Sequence, residues 1–490
     1  MYKAQDRDST ALHSGGLARP GIIGPMNASS SSASTGFDTL ALSPAMLDNL
    51  QQLGYHQMTP IQSASLPPAL LGKDLIAQAS TGSGKTAAFG LALLTKLNPR
   101  WFAVQSLVLC PTRELADQVA TEIRRLARAH DNIKVVTVYG GVPSRAQIAS
   151  LENGAHIVVG TPGRVMDLME RGALDLSGLN TLVLDEADRM LDMGFHADID
   201  TVVRQCPKER QTLLFSATYP EGIADLSARF MKNPQRITVQ AQHSEGKIAQ
   251  RWYEVSEGQR LQAVADLLLH FRPESSIAFC NTKQQCRDLV SLLQAQGFSA
   301  LALYGELEQR ERDEVLVQFA NRSCSVLVAT DVAARGLDIS NLAAVINVDV
   351  TPDSEIHIHR VGRTGRGDAE GLALNLASLD EMGNVGKIEV LQGRPSSWFP
   401  LSELTPASDE PLVPPMQTIQ IIGGRREKIR AGDVMGAMTA DFGYTREQIG
   451  KINVNDFSTY VAVDRRIAGA AVAKLNAGRV KGKSVKARLL

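Results

Sequence analysis

The sequence predicts an α/β chain in three folded parts, two parallel-sheet domains in tandem and a small α+β domain behind them, and three observations carry that expectation. Short apolar runs alternate with helical patterns from Phe37 to about Gln240, and the alternation starts again from about Gly246 to Gly393. The runs are β-branched and Leu-rich and are spaced by crossover helices, which belongs to a sheet buried on both faces. Behind a proline-rich stretch the order becomes strand, helix, strand, strand, helix, strand, the split βαβ arrangement. A length of 490 residues exceeds one ordinary core and fits this division.

Residues 1–36 are rich in Ser, Gly and Ala without periodicity and are expected to be disordered. Met26 is expected to be the natural start, because organised sequence begins only at Phe37. The first large domain is assigned to 37–243, with its clearest strands at 74–78, 106–110, 156–160, 181–184 and 212–215. The second is assigned to 244–393, with strands at 276–280, 300–304, 325–329, 343–348 and 371–377. Residues 394–416 carry Pro395, Pro400, Pro406, Pro411, Pro414 and Pro415 and read as a linker. The last domain, 417–490, is expected to place strands at 418–422, 449–454, 459–463 and 485–489, with helices at 431–442 and 467–475.

A hydrophobic content of 44% and a charged content of 21% describe a soluble globular protein. The total charge of −1 gives no global sign of a nucleic-acid partner, but from Met416 onward 14 Lys or Arg stand against 6 Asp or Glu. The tail is therefore +8 and the rest of the chain −9. No apolar run approaches the roughly 18 residues a membrane span needs, so no membrane partner is expected and the cytoplasm is the expected compartment. Cys110, Cys206, Cys280, Cys286 and Cys324 are odd in number and scattered, and read as reduced thiols rather than a disulfide framework or zinc site.

Two motifs carry chemistry. Ala79-Ser80-Thr81-Gly82-Ser83-Gly84-Lys85-Thr86 follows a strand and opens a helix, so its backbone N–H groups and the helix N-terminus can cradle phosphates. Lys85 reaches the β and γ phosphates, and Thr86 can ligate magnesium. Ala79 stands where the general pattern has a glycine, a position that asks for smallness more than for positive φ. The second motif, Asp185-Glu186-Ala187-Asp188, ends a strand at the carboxyl edge of a parallel sheet, where such sheets bind ligands. Asp185 is expected to hold Mg2+, partly through water, and Glu186 to orient or deprotonate the water that attacks the γ-phosphate.

With these motifs and their companions in order, the chain resembles the DEAD-box family of ATP-dependent RNA helicases, and the resemblance spans Phe37 to about Gly371. It implies two RecA-like domains, with ATP as fuel. Phe37 and Gln62, in Thr59-Pro60-Ile61-Gln62, would then recognise adenine, and Asp338 would touch the ribose. Pro111-Thr112-Arg113-Glu114, Gly140-Gly141 and Thr161-Pro162-Gly163-Arg164 resemble RNA-backbone motifs, which assigns RNA contacts to Arg113, Gly141, Thr161, Gly163 and Arg164. Thr282, Gln309, Arg312 and Thr330 would make the second domain's contacts. Ser216 and Thr218 of Ser216-Ala217-Thr218 would couple hydrolysis to strand separation with Asp188, His359 and Arg360. The run His359-Arg360-Val361-Gly362-Arg363-Thr364-Gly365-Arg366 places arginines at i, i+3 and i+6, close enough for one helical face. By resemblance Arg363 and Arg366 are the arginine fingers, so the catalytic set of Lys85, Asp185, Glu186, Arg363 and Arg366 is split between two domains.

The tail's element order and charge resemble an RNA-recognition-motif (RRM) fold, with Tyr460 the one aromatic on its two central strands. RNA contacts are expected from Arg425, Arg426, Lys428, Lys451, Tyr460 and Lys483. Gly424-Arg425-Arg426-Glu427-Lys428-Ile429-Arg430-Ala431-Gly432-Asp433 and Ile449-Gly450-Lys451-Ile452 resemble the bacterial DbpA subfamily. The resemblance implies recognition of a 23S ribosomal RNA hairpin during large-subunit assembly, with the tail tethering the helicase beside its target; the oligomeric state is left open by the sequence, with a monomer the more expected form. The other reading that stays open is an ATP-gated RNA clamp or scaffold with little unwinding.

Overall fold

The computed structural model describes residues 36–79, 82–219, 221–239, 248–334, 342–365, 370–408 and 410–490. The first domain is a seven-stranded parallel sheet of β1 (Leu75–Gln78), β2 (Ser106–Leu109), β3 (Val135–Val138), β4 (Ile157–Gly160), β5 (Thr181–Asp185), β6 (Gln211–Ser216) and β7 (Gln235–Thr238), in the order β3-β4-β2-β5-β6-β1-β7. Because strand side chains alternate, each strand feeds two cores. Ala77, Val108, Val183 and Phe215 pack on one face, beneath helices Pro60–Leu70, Lys85–Lys96 and Arg113–Leu126. Their neighbours Ile76, Leu109, Leu184 and Leu214 pack on the other, against helices Pro162–Glu170, His196–Gln205 and Glu221–Phe230.

The second domain repeats the plan with β8 (Ile248–Glu254), β9 (Ser276–Cys280), β10 (Ala300–Leu303), β11 (Val326–Thr330), β12 (Ala344–Asn347) and β13 (Gly371–Ala377), ordered β10-β11-β9-β12-β13-β8 and all parallel. Three strands beyond the clearest apolar runs, β3, β7 and β8, all lie at sheet edges. An edge strand has a neighbour on one side only, and the outward residues of β7 and β8 are exposed, so their pattern is weaker. All five cysteines are buried and unpaired. Among the described residues no helix is long and apolar enough to cross a membrane, and no metal-ligating cluster occurs.

The tail is a four-stranded antiparallel sheet of β14 (Met416–Ile422), β15 (Ile449–Val454), β16 (Ser458–Asp464) and β17 (Lys486–Leu489), ordered β15-β16-β14-β17. Helices Ala431–Gly436 and Ala468–Ala477 cover its inner face, and the first continues through a π-helical turn at Ala437–Asp441. The chain thus has the predicted fold, two RecA-like parallel sheets and an RRM-like α+β module.

The proline-rich segment runs along the second domain as a strap. Trp252 N–H donates to the Ser397 carbonyl at 2.9 Å and Phe399 N–H to the Trp252 carbonyl at 2.8 Å, so the strap pairs with the open edge of β8. Phe399, Leu401 and Leu404 pack on the domain's core, and Arg272 reaches the Glu410 carbonyl at 2.6 Å. Proline supplies an already extended backbone that costs little further entropy to dock.

Candidate functional site

The phosphate loop leaves β1 at Gln78, and Ala79 N–H is held by the Ser216 carbonyl of β6 at 3.0 Å. Gly82 and Gly84 have φ of 77° and 95°, the left-handed region that glycine enters without strain. A Cβ on Gly84 would also lie 2.5 Å from Gln62 Nε2. Lys85, the first residue of helix Lys85–Lys96, is buried and donates through Nζ to the Ala79 carbonyl at 2.9 Å, inside its own loop. Thr86 follows on the same turn. Ser80 and Thr81 lie outside the described residues.

Gln62 completes a capping box with Thr59, accepting from Thr59 N–H at 2.9 Å, and its amide donates to the Gly84 carbonyl at 3.1 Å. The residue expected to read adenine is therefore tied to the loop expected to hold phosphate. Phe37 is buried, with its ring edge-on to Tyr55 at 6.3 Å.

Asp185 is buried at the end of β5, and its Oδ1 has no hydrogen-bond partner among the described residues. Burial pushes its carboxyl up to about 7 against the opposing charge of Lys85. Glu186 sits at φ 52°, uncommon for a residue with a side chain, and accepts from Arg189 Nη1 at 2.9 Å. The i, i+3 spacing of Glu186 and Arg189 was the available signal for that partner. Asp188 Oδ2 takes three bonds from the loop after β6, from Ala217 N–H at 3.1 Å, Thr218 N–H at 2.9 Å and Thr218 Oγ1 at 3.0 Å. Its own N–H donates to Ser216 Oγ at 3.3 Å. Burial alone would raise the Asp188 carboxyl, but the Thr218 N–H and the charges of Lys85 and Arg189 outweigh it and hold it low.

Across the interdomain cleft, His359, Arg360 and Arg363 line the wall opposite Asp188, Arg189 and Thr218. Burial and the charge of Arg189 depress His359 to about 4, so it is neutral near pH 7. Arg360 makes a bidentate bond to Asp331 at 2.7 Å and also reaches the Asp349 carbonyl at 2.8 Å and Asn281 Oδ1 at 3.1 Å. Arg360 and Arg363 do not share one helix: helix Ser354–Val361 stops before Arg363, which sits in the following turn with its N–H on the Arg360 carbonyl. Asp338 and Arg366 lie outside the described residues.

Of the residues expected to grip RNA, Arg113, Gly141, Gln309 and Arg312 meet at one joint between the large domains. Arg113 Nη2 reaches both Asp313 oxygens, at 2.9 and 3.1 Å, and Arg312 Nε reaches Glu114 at 2.7 Å, a crossed pair of interdomain ion pairs. Gln309 also donates to Asp313 at 2.8 Å. Arg113 Nη1 is buried without a partner among the described residues and lies 4.0 Å from a Cβ built on Gly141. Arg164 is held by Gln147 and the Val142 carbonyl, near Thr161 and Gly163 at the start of helix Pro162–Glu170. Thr282 caps helix Lys283–Ala295, while Thr330 ends β11. Sequence reasoning passed over Asp313 because a carboxylate beside Arg312 looks like an ordinary solvated helix residue.

Helix Gln309–Ala320 carries a second joint, to the tail. Thr418 Oγ1 meets Ser323 Oγ at 2.7 Å and Asn321 Nδ2 at 3.2 Å; Gln420 Nε2 reaches Glu314 at 3.1 Å, and Arg488 lies 3.5 Å from the same carboxylate. Strand alternation puts Thr418, Gln420, Tyr460 and Ala462 on the outer sheet face, in cross-strand register. That face is covered, and Tyr460 is only 3% exposed, with its hydroxyl on Gln420 at 3.2 Å. Tyr460 was expected to face RNA; in this arrangement the second domain occupies its place. Arg425, Arg426, Lys428, Lys451 and Lys483 are all exposed.

Three family models match in chain order, DEAD/DEAH box helicase over residues 59–226, helicase conserved C-terminal domain over 259–368 and DbpA RNA binding domain over 418–489. The ATP-dependent RNA helicase DbpA of Escherichia coli strain K12 is 48% identical over 459 residues, covering 93% of this chain and 100% of that protein. The DEAD-box ATP-dependent RNA helicase CshA of Bacillus cereus is 44% identical over 356 residues, covering 72% of this chain and 68% of that one. S. cerevisiae Dbp5 bound to RNA and ADP BeF3 superposes with a TM-score of 0.67 at 30% identity, covering 75% of this chain and 96% of that chain. Similarity that runs the full length of a relative, through both sheets and the tail, makes this chain a member of the DEAD-box helicase family, of the type that ends in a DbpA RNA-binding domain.

Proposed function

We propose that this RNA helicase hydrolyses ATP in the cleft between its two large domains, opens short RNA duplexes as the cleft closes, and acts on 23S ribosomal RNA in precursors of the large subunit. The observation that carries the catalytic part is the cluster of Lys85, Asp185, Glu186 and Asp188 on one wall, opposite His359 and Arg363 on the other. On this reading Lys85 leaves the Ala79 carbonyl for the nucleotide's β and γ phosphates, and Gln62 with Phe37 holds the adenine. Glu186 accepts the proton of the attacking water, and Arg363 balances charge growing on the transferred phosphoryl group. The orphaned, buried Asp185 Oδ1 fits a divalent cation, which Asp185 and Thr86 would hold. Bound there, Mg2+ would neutralise charge between the β and γ phosphates.

Asp188 couples this chemistry to the second domain, because the Thr218 loop it anchors faces His359 and Arg360 across the same cleft. On the RNA side, the unpartnered Arg113 Nη1 beside Gly141 supports a phosphate contact. The ribosomal target rests on the tail's resemblance, and its +8 charge supports RNA in general. A monomer in the cytoplasm is the working state proposed.

Lys85→Ala or Glu186→Gln should abolish RNA-stimulated ATP turnover in a folded protein; turnover within a few-fold of wild type in either variant would overturn the site. Crosslinking to cellular RNA should enrich 23S sequences, and an even spread over unrelated transcripts would overturn the ribosomal assignment.

A further inference from the structure

The two ends of the tail's outer sheet face differ. Thr418, Gln420, Tyr460 and Ala462 are covered by the second domain, whereas Ile422 and Phe457 are 60% and 62% exposed. They are near neighbours, since Ile422 pairs with Ser458, the residue after Phe457, and on its other side with Lys486. Phe457 lies in the turn between β15 and β16, and three backbone bonds stitch the basic loop 423–430 to that turn. Gly423 N–H donates to the Phe457 carbonyl at 2.9 Å, Arg425 N–H to Asn455 at 2.8 Å and Arg426 N–H to Asp456 at 3.1 Å. A Cβ on Gly424 would collide with the Asn455 carbonyl, so this close approach requires glycine.

The stitching sets the Arg426 guanidinium over the Phe457 ring, 4.5 Å from its centroid. Two further cations are drawn to the same loop, Lys481 Nζ on the Lys428 carbonyl at 2.6 Å and Lys483 Nζ on the Glu427 carbonyl at 3.0 Å. An exposed aromatic ring with an arginine over it, beside a loop where Arg425, Arg426, Lys428, Arg430, Lys481 and Lys483 outnumber Glu427, Asp433 and Asp456, matches what an unpaired nucleotide asks for: a π surface for the base and positive charge for the flanking phosphates. The net positive charge of this surface favours an RNA strand, which releases counterions by covering it.

Resting on the proposed reading that the tail binds RNA, we infer that Phe457 is the tail's base-stacking platform, taking one unpaired RNA base between its open side and Ile422, with Arg425, Lys428 and Lys483 at the adjoining phosphates. The covered sheet face then serves as a docking surface, and recognition moves to the free end of the module.

The test measures affinity of the full-length protein for a 23S ribosomal RNA transcript as a function of salt. Phe457→Ala should weaken binding about tenfold, the scale of one base stack, without changing the slope of log affinity against log salt, and Phe457→Trp should restore it. Arg425→Gln with Lys483→Gln should instead lower that slope by about 0.7 to 0.9 for every phosphate no longer neutralised. If the charge variant weakens binding while Phe457→Ala stays within twofold of wild type, or if tryptophan fails to rescue, the stacking platform is wrong. If neither variant changes affinity, the reading of the tail as the RNA-binding module fails with it.

Discussion

The two walls of the interdomain cleft are finished to different degrees. On the first domain's wall, Asp188 is held by four backbone or side-chain donors and Glu186 by Arg189, yet Asp185 Oδ1 has no partner among the described residues. On the second domain's wall, Arg360 spends its donors on Asp331, Asp349, Asn347 and Asn281, all within its own domain, while Arg363, three residues on, lines the cleft. Residues of one type in one short run thus stand differently: Arg360 ties the wall together, and Arg363 sits on the cleft lining.

Breaking that distinction is the most direct test of it. Arg363→Ala should slow ATP hydrolysis by about a thousandfold, the lower end for arginine fingers, while ATP affinity changes by no more than a few-fold; equal losses in both would make Arg363 a ground-state contact. Arg360→Ala should act mainly on stability, lowering denaturant-measured stability of the second domain by about 3 kcal/mol because Asp331 is left without its partner. The walls should differ in acid too. His357, on the helix that carries His359 and stacked on Trp252, has both ring nitrogens buried without partners among the described residues, and burial depresses it to about 3. The unfolded chain takes up this proton near pH 6.5 and the folded one only near 3, so the contribution is complete above pH 6.5 and is lost as pH falls through that window. The slope is about 1.4 kcal/mol per pH unit for each such histidine. His357→Phe should therefore flatten a plot of melting temperature against pH between about 6.5 and 4, leaving the part due to His359. The smallest effect is expected outside the cleft. Glu314→Ala removes the carboxylate shared by Gln420 and Arg488, and should weaken tail docking by about 1 kcal/mol, seen as about fivefold faster amide exchange in β14.

Much of this was legible in the sequence. The central strands announce themselves because both faces are buried, as in Leu182-Val183-Leu184, and the phosphate loop because its glycines and Lys85 fall between a strand and a helix. Edge strands such as β7 and β8 were hard to read because only their inward residues need be apolar. The partners Asp313 and Glu314 escaped for another reason. They are charged residues on helices, and nothing local separates a carboxylate that bridges domains from one that faces water. Tyr460 was misplaced by the same limit, since strand alternation gives the face a residue occupies but not what covers that face. The proline-rich strap shows the converse, a composition typical of loose chain that the apolar residues Phe399, Leu401 and Leu404 fasten down.

Helix Gln309–Ala320 is a single element bonded to the first domain through Arg312 and Asp313 and to the tail through Glu314. If the tail holds RNA as proposed, a leash would let the core search any duplex within reach, whereas this helix would act as a ruler that fixes the span between RNA at the tail and RNA at the core.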